Sequence, residues 1–451
     1  MSNTSPLKVV HLISGAGGMY CGSCMHGNTL AAALIEAGHD VILMPLYTPV
    51  RTDEQSVHQE QLAFGGLNVF LQQKSALFRK MPAFIDRLLD RPSLVNWLAR
   101  WGGKTDATEL GALTVSMLRG ESGRQKKELD KLLDLLQKLP QIDVVHLSNV
   151  LLAGLAGPIQ SCLNIPVIVS LTGEDIFLEK LPEPHATEAR EELQRCAGQI
   201  DALVAMNHHF ARRMADYLSV PASEIHVVPP GIKLAGHAAD CEPQLTTTPR
   251  DDLRIGYFSR ICHDKGLHVL ADAFKILTAE APDRKFTLHA AGYLAPEDKA
   301  YLRDVERRFE SSERPGCFLY AGSPDRSGKI DFLQSVDMVC LPSVFPESKG
   351  IAALEAWANG KPVIAANAGA FPELVADTGG GILFEPENAQ SLAQSLRELA
   401  ESPDRIEEMG RRGMQAVRDR YHDALMAQRT ANLYDSVLKG RAGRARKNTP
   451  S

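Results

Sequence analysis

The sequence predicts an α/β protein made of two doubly wound domains that face one another across a cleft. Three observations carry this expectation. Apolar, β-branched runs alternate with helix-patterned stretches along most of the chain, as in parallel sheets joined by crossover helices. A polar, Pro-containing stretch, AGHAADCEPQLTTTPRDD, interrupts that alternation near the middle and reads as an interdomain linker. The 451 residues are also enough for two full cores.

The expected strands follow in order. In the first half they are VVHLIS, VILMPLY, DVVHLSN, PVIVSL and ALVAMN. In the second they are LRIGYFS, FTLHAAG, CFLYAG, MVCLPS and PVIAAN, with GILFE as a further candidate. The expected layout is an N-terminal domain over 1–235, a linker over 236–250 and a C-terminal domain over 251–420. A last helix at 421–440, containing ANLYDSVLKG, is expected to return to the first domain, followed by a basic, disordered tail at 441–451. The tail is expected to be disordered because it is rich in Gly, Arg and Lys.

Residues 49–141 break the alternation and read as an insertion. FGGLNVFLQQ suggests a strand pair or an edge insertion. Leu77, Met81, Phe84, Ile85, Leu88 and Leu89 recur at helical spacing, as do Leu94, Leu98 and Trp101, among flanking Arg and Lys. An amphipathic helix pair packed on the first domain is the favoured reading; peripheral membrane contact, or a greasy acceptor, is the other. A third helix, ESGRQKKELDKLLDLLQKL, presents a Leu stripe for burial.

Bulk properties narrow the function classes. A net charge of −6 argues against a nucleic-acid binder, and 44% hydrophobic with 23% charged residues is ordinary for a soluble enzyme. No apolar run approaches ~18 residues. The start, MSNTSPLKVVHLIS, fits a first strand better than a signal peptide. Eight cysteines without a secretory signal read as thiols, and the expected location is cytoplasmic.

The chemistry concentrates in PSVFPESKGIAALEAWANGKPVIAANAGAFPELV, Pro342 to Val375. It places Glu347 and Glu355 eight positions apart around a helix start that follows a buried strand. Upstream, LRIGYFS ends in Arg260, and Lys265 and Gly266 open the next helix. Two cations and a helix N-terminus suit a diphosphate, and a carboxylate suits sugar hydroxyls, so together they read as a nucleotide-sugar site. Gly350 admits a phosphate closely because it has no Cβ, and the N–H groups near Gly350 and Ile351 point at the same anion. No two Asp residues stand two apart, so no Asp-x-Asp metal motif is present. The expected arrangement is fixed cations with no catalytic metal and no cofactor beyond the NDP-sugar substrate.

Elsewhere the residues leave alternatives. Gly15, Gly17 and Gly18 follow the first strand but do not form a dinucleotide fingerprint; a flexible loop near donor or acceptor is the better reading. Cys21 and Cys24 form a lone C-x-x-C with only His26 nearby, which leaves zinc unsupported and a redox pair the less favoured possibility. His146 and Asn149 are read either as entering the cleft or as core-edge residues.

These motifs resemble glycosyltransferase family 4, retaining enzymes with the GT-B architecture of two Rossmann-like domains. FSRICHDKG matches the family's strand-Arg-x4-Lys-Gly pattern. ESKGIAALE matches its Glu-x7-Glu pattern, and GKPVIA and GAFPE follow it. GAGGMYCGSCMHGNTLAAALIEAGHDVILMPLY is similar to the N-terminal loop, helix and strand. The resemblance implies retention, attack from the face of the leaving diphosphate, and transfer of the acceptor proton to the phosphate oxygen. It implies Arg260 and Lys265 at the phosphates, Glu347 beside the donor sugar and Glu355 on the ribose. Two departures matter. Lys349 stands where Phe is usual, and Thr172 replaces a His that contacts the donor sugar in many members, leaving Glu174 and Asp175 as possible substitutes. The expected reaction moves a sugar from an NDP-sugar to a carbohydrate or lipid-linked acceptor hydroxyl. An ADP- or UDP-glucose-dependent glucan synthase is the enzymatic rival. A non-catalytic nucleotide-sugar-binding scaffold is the rival from another class, and an epimerase is more distant.

Overall fold

In a computed structural model the chain is described over residues 5–15, 22–47, 52–57, 107–240, 252–310 and 316–447. It divides into two compact units, Met1–Pro229 with Met426–Ser451, and Pro230–Leu425. Each unit holds one six-stranded sheet in which all pairings are parallel.

The strands of unit 1 are β1 (Lys8–Ile13), β2 (Asp40–Pro45), β3 (Val144–Leu147), β4 (Val167–Leu171), β5 (Ala202–Ala205) and β6 (Ile225–Val227). Their order across the sheet is β2-β1-β3-β4-β5-β6. Every residue of β3, β4 and β5 is buried, because helices cover both faces of a parallel sheet. That is why these segments read as unbroken apolar runs. The helix Lys126–Lys138 buries Leu129, Leu132 and Leu136, the stripe expected from its spacing.

The helix Asp423–Lys447 closes unit 1. Its Met426, Ala427, Leu433 and Tyr434 share one buried cluster with Leu7, Val9, Leu34, Val144 and Ile168. It also runs further than expected, since 441–447 continue the helix instead of forming a disordered tail. Arg441 Nε lies 3.6 Å from Asp201, and Ala, Arg and Lys are good helix formers, with cations favoured at a C-terminal end.

The strands of unit 2 are β7 (Asp252–Phe258), β8 (Lys285–Ala291), β9 (Phe318–Tyr320), β10 (Met338–Leu341), β11 (Val363–Ala366) and β12 (Gly381–Phe384). Their order is β12-β11-β10-β7-β8-β9. The chain moves outward from β7 through β9 and then returns to the other side of β7 as β10. The connections after β7 and β10 therefore run toward opposite edges of the sheet, and such a reversal point is where open α/β sheets bind ligands.

The linker differs from expectation. Residues 230–240 belong to unit 2: Ile232 N–H donates to the Tyr421 carbonyl at 2.9 Å, and Ile232 and Ala239 join a cluster with Trp357. Residues 241–251 lie outside the described residues, as do FGGLNVFLQQ and the expected helix pair around 77–104. Among the described residues no helix is long and apolar enough to cross a membrane.

Candidate active site

Six of the expected residues lie in unit 2: Arg260 and Lys265 on the loop after β7, Glu347 and Gly350 on the loop after β10, and Ile351 and Glu355 in the helix that follows. Arg260 follows β7, and its backbone is pinned: Tyr257 Oη donates to the Arg260 carbonyl at 2.8 Å, and Ile261 N–H donates to Tyr293 O at 2.8 Å. Its side chain is exposed and makes no hydrogen bond or ion pair among the described residues. Lys265 ends a short 3₁₀ turn, His263–Lys265, and Gly266 follows with φ +73°. A Cβ on Gly266 would lie 1.8 Å from the carbonyl oxygen of Pro342 in the loop after β10. Glycine is therefore required for both its conformation and the close approach of the second loop. Val344 and Phe345 N–H groups donate to Asp264 O across the same seam, at 3.1 and 3.3 Å.

This seam delivers Lys265 Nζ to Glu347 Oε2 in a direct ion pair. The two side chains are only 16% and 21% exposed. Burial pushes the Glu347 carboxyl up, but the Lys265 ammonium and then Lys349 outweigh it and hold the group at about 2. Glu347 is thus an anion at any physiological pH. An ammonium has three donors, so Lys265 can hold Glu347 and still reach an anionic ligand. The Glu347 carbonyl accepts from Ala370 N–H at 2.7 Å, which ties the site to GAFPE.

Gly350, at φ +72°, caps the helix Ile351–Ala358. Ala353 N–H already donates to Gly350 O at 3.0 Å, whereas the first N–H groups of a helix have no intrahelical partner, so this end carries the positive pole of the helix. Glu355 lies inside the helix and is buried. Its Oε1 accepts from Lys329 Nζ at 2.6 Å, a contact sequence reasoning did not find. A signal existed: Lys329 shares its helix face with Phe332 and Leu333, at spacings of three and four, and a lysine there needs a partner.

In unit 1, Thr172 follows β4. Its Oγ1 lies 2.5 Å from Glu174 Oε1, and its N–H donates to Glu174 Oε2 at 2.7 Å. Ser23, on the first helix, donates to Thr172 Oγ1 at 3.1 Å. Asp175 takes Arg213 Nε at 2.5 Å. Thr172 and Glu174 are therefore brought together, whereas Asp175 is held apart by Arg213; neither Ser23 nor Arg213 was anticipated. Gly17, Gly18 and Cys21 lie outside the described residues. His146 is buried, with Nδ1 2.7 Å from Tyr434 Oη and Nε2 2.8 Å from Ser170 Oγ. That is the core-edge arrangement of the two considered. Asn149 Nδ2 donates to Ser14 Oγ at 3.2 Å. No cluster of three or more His, Cys, Asp or Glu suited to a metal ion occurs among the described residues.

The family described as Glycosyl transferases group 1 matches residues 242–416, and Glycosyltransferase Family 4 matches residues 111–235. Among curated relatives, a D-inositol 3-phosphate glycosyltransferase of Nocardia farcinica is 28% identical over 242 residues, covering 52% of each chain. Its counterpart in Pseudarthrobacter chlorophenolicus is 24% identical over 372 residues, covering 77% of this chain and 84% of that one. The chain thus spans about half the length of the first of these relatives. Two solved structures share the fold. Anabaena HepE, in complex with UDP and glucose, has a TM-score of 0.64 at 17% identity, covering 95% of this chain and all of that one. Sucrose-phosphate synthase from Thermosynechococcus elongatus has a TM-score of 0.66 at 17% identity, over 96% of this chain and 100% of that one. The architecture is GT-B, as the resemblance implied.

Proposed function

We propose that this chain, whose two halves match the models for group 1 and family 4 glycosyltransferases, is a family 4 enzyme that moves a sugar from an NDP-sugar to an acceptor hydroxyl, with retention and without a metal. The observation that carries this reading is the contact between Lys265 and Glu347, beside the helix start at Gly350. In the proposed step the bond between the anomeric carbon and the diphosphate oxygen breaks. The acceptor oxygen bonds to the same face of that carbon, and its proton passes to the departing phosphate oxygen. Arg260, Lys265 and the N–H groups at Gly350 and Ile351 stabilise the charge growing on the diphosphate, and Glu347 anchors Lys265. Glu355 accepts from the ribose hydroxyls. In unit 1, Glu174 holds the Thr172 hydroxyl and N–H group.

The relatives suggest what to assay first. HepE was crystallised with UDP and glucose, and the curated relatives are named for inositol 3-phosphate. UDP-glucose and other NDP-sugars are the first donors, with inositol 3-phosphate among the acceptors. Arg260→Ala should fold normally, because that side chain is exposed, and should lose about a hundred- to a thousandfold in turnover, as when one preorganised donor is removed. EDTA should leave the parent enzyme nearly unaffected. Strict dependence on Mn²⁺ or Mg²⁺, or full activity of Arg260→Ala, would overturn the mechanism.

A further inference from the structure

The ion pair between Lys329 and Glu355 is the least expected feature of unit 2. Its side chains are 4% and 8% exposed, and Nζ and Oε1 are 2.6 Å apart. A lysine this deeply buried is costly without a close counter-charge. Its position is well determined. Asp325 caps the helix Arg326–Ser335 by accepting from Gly328 N–H at 2.9 Å, and Ile330, Phe332 and Leu333 are buried around Lys329. Glu355 is fixed from its other side. One turn on, Asn359 Nδ2 donates to the Glu355 carbonyl at 2.9 Å and lies 2.8 Å from His237 Nδ1.

Both acidic residues of the Glu-x7-Glu pattern thus carry a lysine, Lys265 on Glu347 and Lys329 on Glu355. The physical need is plain. Two bare carboxylates on one helix start would repel a diphosphate, and pairing cancels that charge locally. A carboxylate has about four lone-pair directions, so a lysine on Oε1 leaves acceptor capacity for two neighbouring hydroxyls. It also removes the freedom of the carboxylate to rotate away.

We propose that Lys329 is a positioning residue that makes the site select ribonucleotides, by holding Oε1 of Glu355 so that the remaining acceptor sites meet both ribose hydroxyls. The inference rests on the reading of Glu355 as the ribose partner. Without Lys329 the carboxylate turns away, and the ribose loses its acceptor while the diphosphate contacts remain.

The test is calorimetric binding of UDP, ADP and GDP, each beside its 2′-deoxy counterpart, to the full chain. The parent should bind its preferred ribonucleotide at least about tenfold tighter than the deoxy form. In Lys329→Met the ribonucleotide should weaken about tenfold or more while the deoxy form changes less than about twofold, so the ratio falls toward one. Lys329→Arg should restore most of the ratio. Lys329→Met combined with Glu355→Gln should be no worse than Glu355→Gln alone. If Lys329→Met does not fold, Lys329→Gln is measured in the same way. An unchanged ratio in a variant that is only less stable overturns the inference while leaving the ribose assignment intact. Absence of any ribose preference in the parent, with no effect of Glu355→Gln, defeats the ribose assignment and this inference with it. Failure of the parent to bind all three diphosphates defeats the donor-site reading as a whole.

Discussion

Replacing Lys265 with methionine removes the ammonium that holds Glu347 and leaves the aliphatic stem in place. In the parent the Glu347 carboxyl falls from an ordinary 4.5 to about 2, which corresponds to on the order of 3 kcal/mol at ~1.4 kcal/mol per pH unit. Because the folded value is depressed, this stability is fully present above pH 4.5 and is lost as pH falls toward 2. In Lys265→Met burial dominates and raises the carboxyl, with Lys349 the only cation left among those that had lowered it. The variant then carries a poorly compensated anion at neutral pH and gains when the group takes up a proton. Breaking a buried pair costs ~3–5 kcal/mol; this one keeps some solvent contact, so we expect about 2–3 kcal/mol at pH 7. The assay is urea unfolding of parent and variant from pH 7 to pH 3. Their difference should shrink steadily as the solution is acidified. A difference that stays constant across that range would refute the ion pair as the source of the effect. Adding Glu347→Gln to Lys265→Met should recover most of the stability but none of the turnover, separating anchoring from transition-state stabilisation.

The remaining predictions concern the scaffold. His11 stacks on His146 with ring centroids 4.7 Å apart, neither of its ring nitrogens has a partner among the described residues, and burial lowers it from 6.5 to about 4. The groups around this stack are His26, Ser170 and Tyr434. The unfolded chain takes up that proton first, so stability falls as pH drops from 6.5 toward 4. In His11→Phe this loss should be smaller by roughly 3 kcal/mol, read from denaturant midpoints; parallel curves for parent and variant would count against it. Gly266→Ala combines a positive φ with a Cβ 1.8 Å from Pro342 O. It should cost at least ~2 kcal/mol and weaken nucleotide binding; a midpoint within about 0.5 kcal/mol of the parent would show that the two loops part easily.

The strands were legible because a fully covered parallel sheet must be apolar at every position, and VIVSL or MVCL can hardly be anything else. β6 was not, since Ile225–Val227 is three residues long and its central histidine is exposed. Arg260, Lys265 and Glu347 stood out because each lies at an element end, and Glu355 because it completes the Glu-x7-Glu spacing. Their partners were harder to see. Lys265 and Glu347 are 82 positions apart, and only the order of strands reveals that β7 and β10 are neighbours. Glu174 and Asp175 looked equivalent in sequence. One folds back on Thr172 and the other is taken by Arg213, a difference decided by where the helix His208–Leu218 lies. Part of the expected linker lies within unit 2, where Ala239 packs into a core, although the residues around it read as polar and turn-forming.

Unit 1 is completed by the last helix of the chain, and this fixes an order of assembly. On the ribosome, Leu7, Val9 and Val144 emerge early, but the Met426, Leu433 and Tyr434 that cover them are made only after the whole of unit 2. At ~5–20 residues per second, those roughly 200 intervening residues impose a wait of about 10–40 s. During that interval unit 2, which is continuous in sequence, can close its own core, while one face of the N-terminal sheet is covered only in part, by Leu30, Ala33 and Leu34 of the first helix. Until Tyr434 arrives, His146 also lacks one of its two hydroxyl partners. The newly made chain therefore passes through a period in which its first-made half keeps apolar surface in water, and that half becomes native only when the helix Asp423–Lys447 docks.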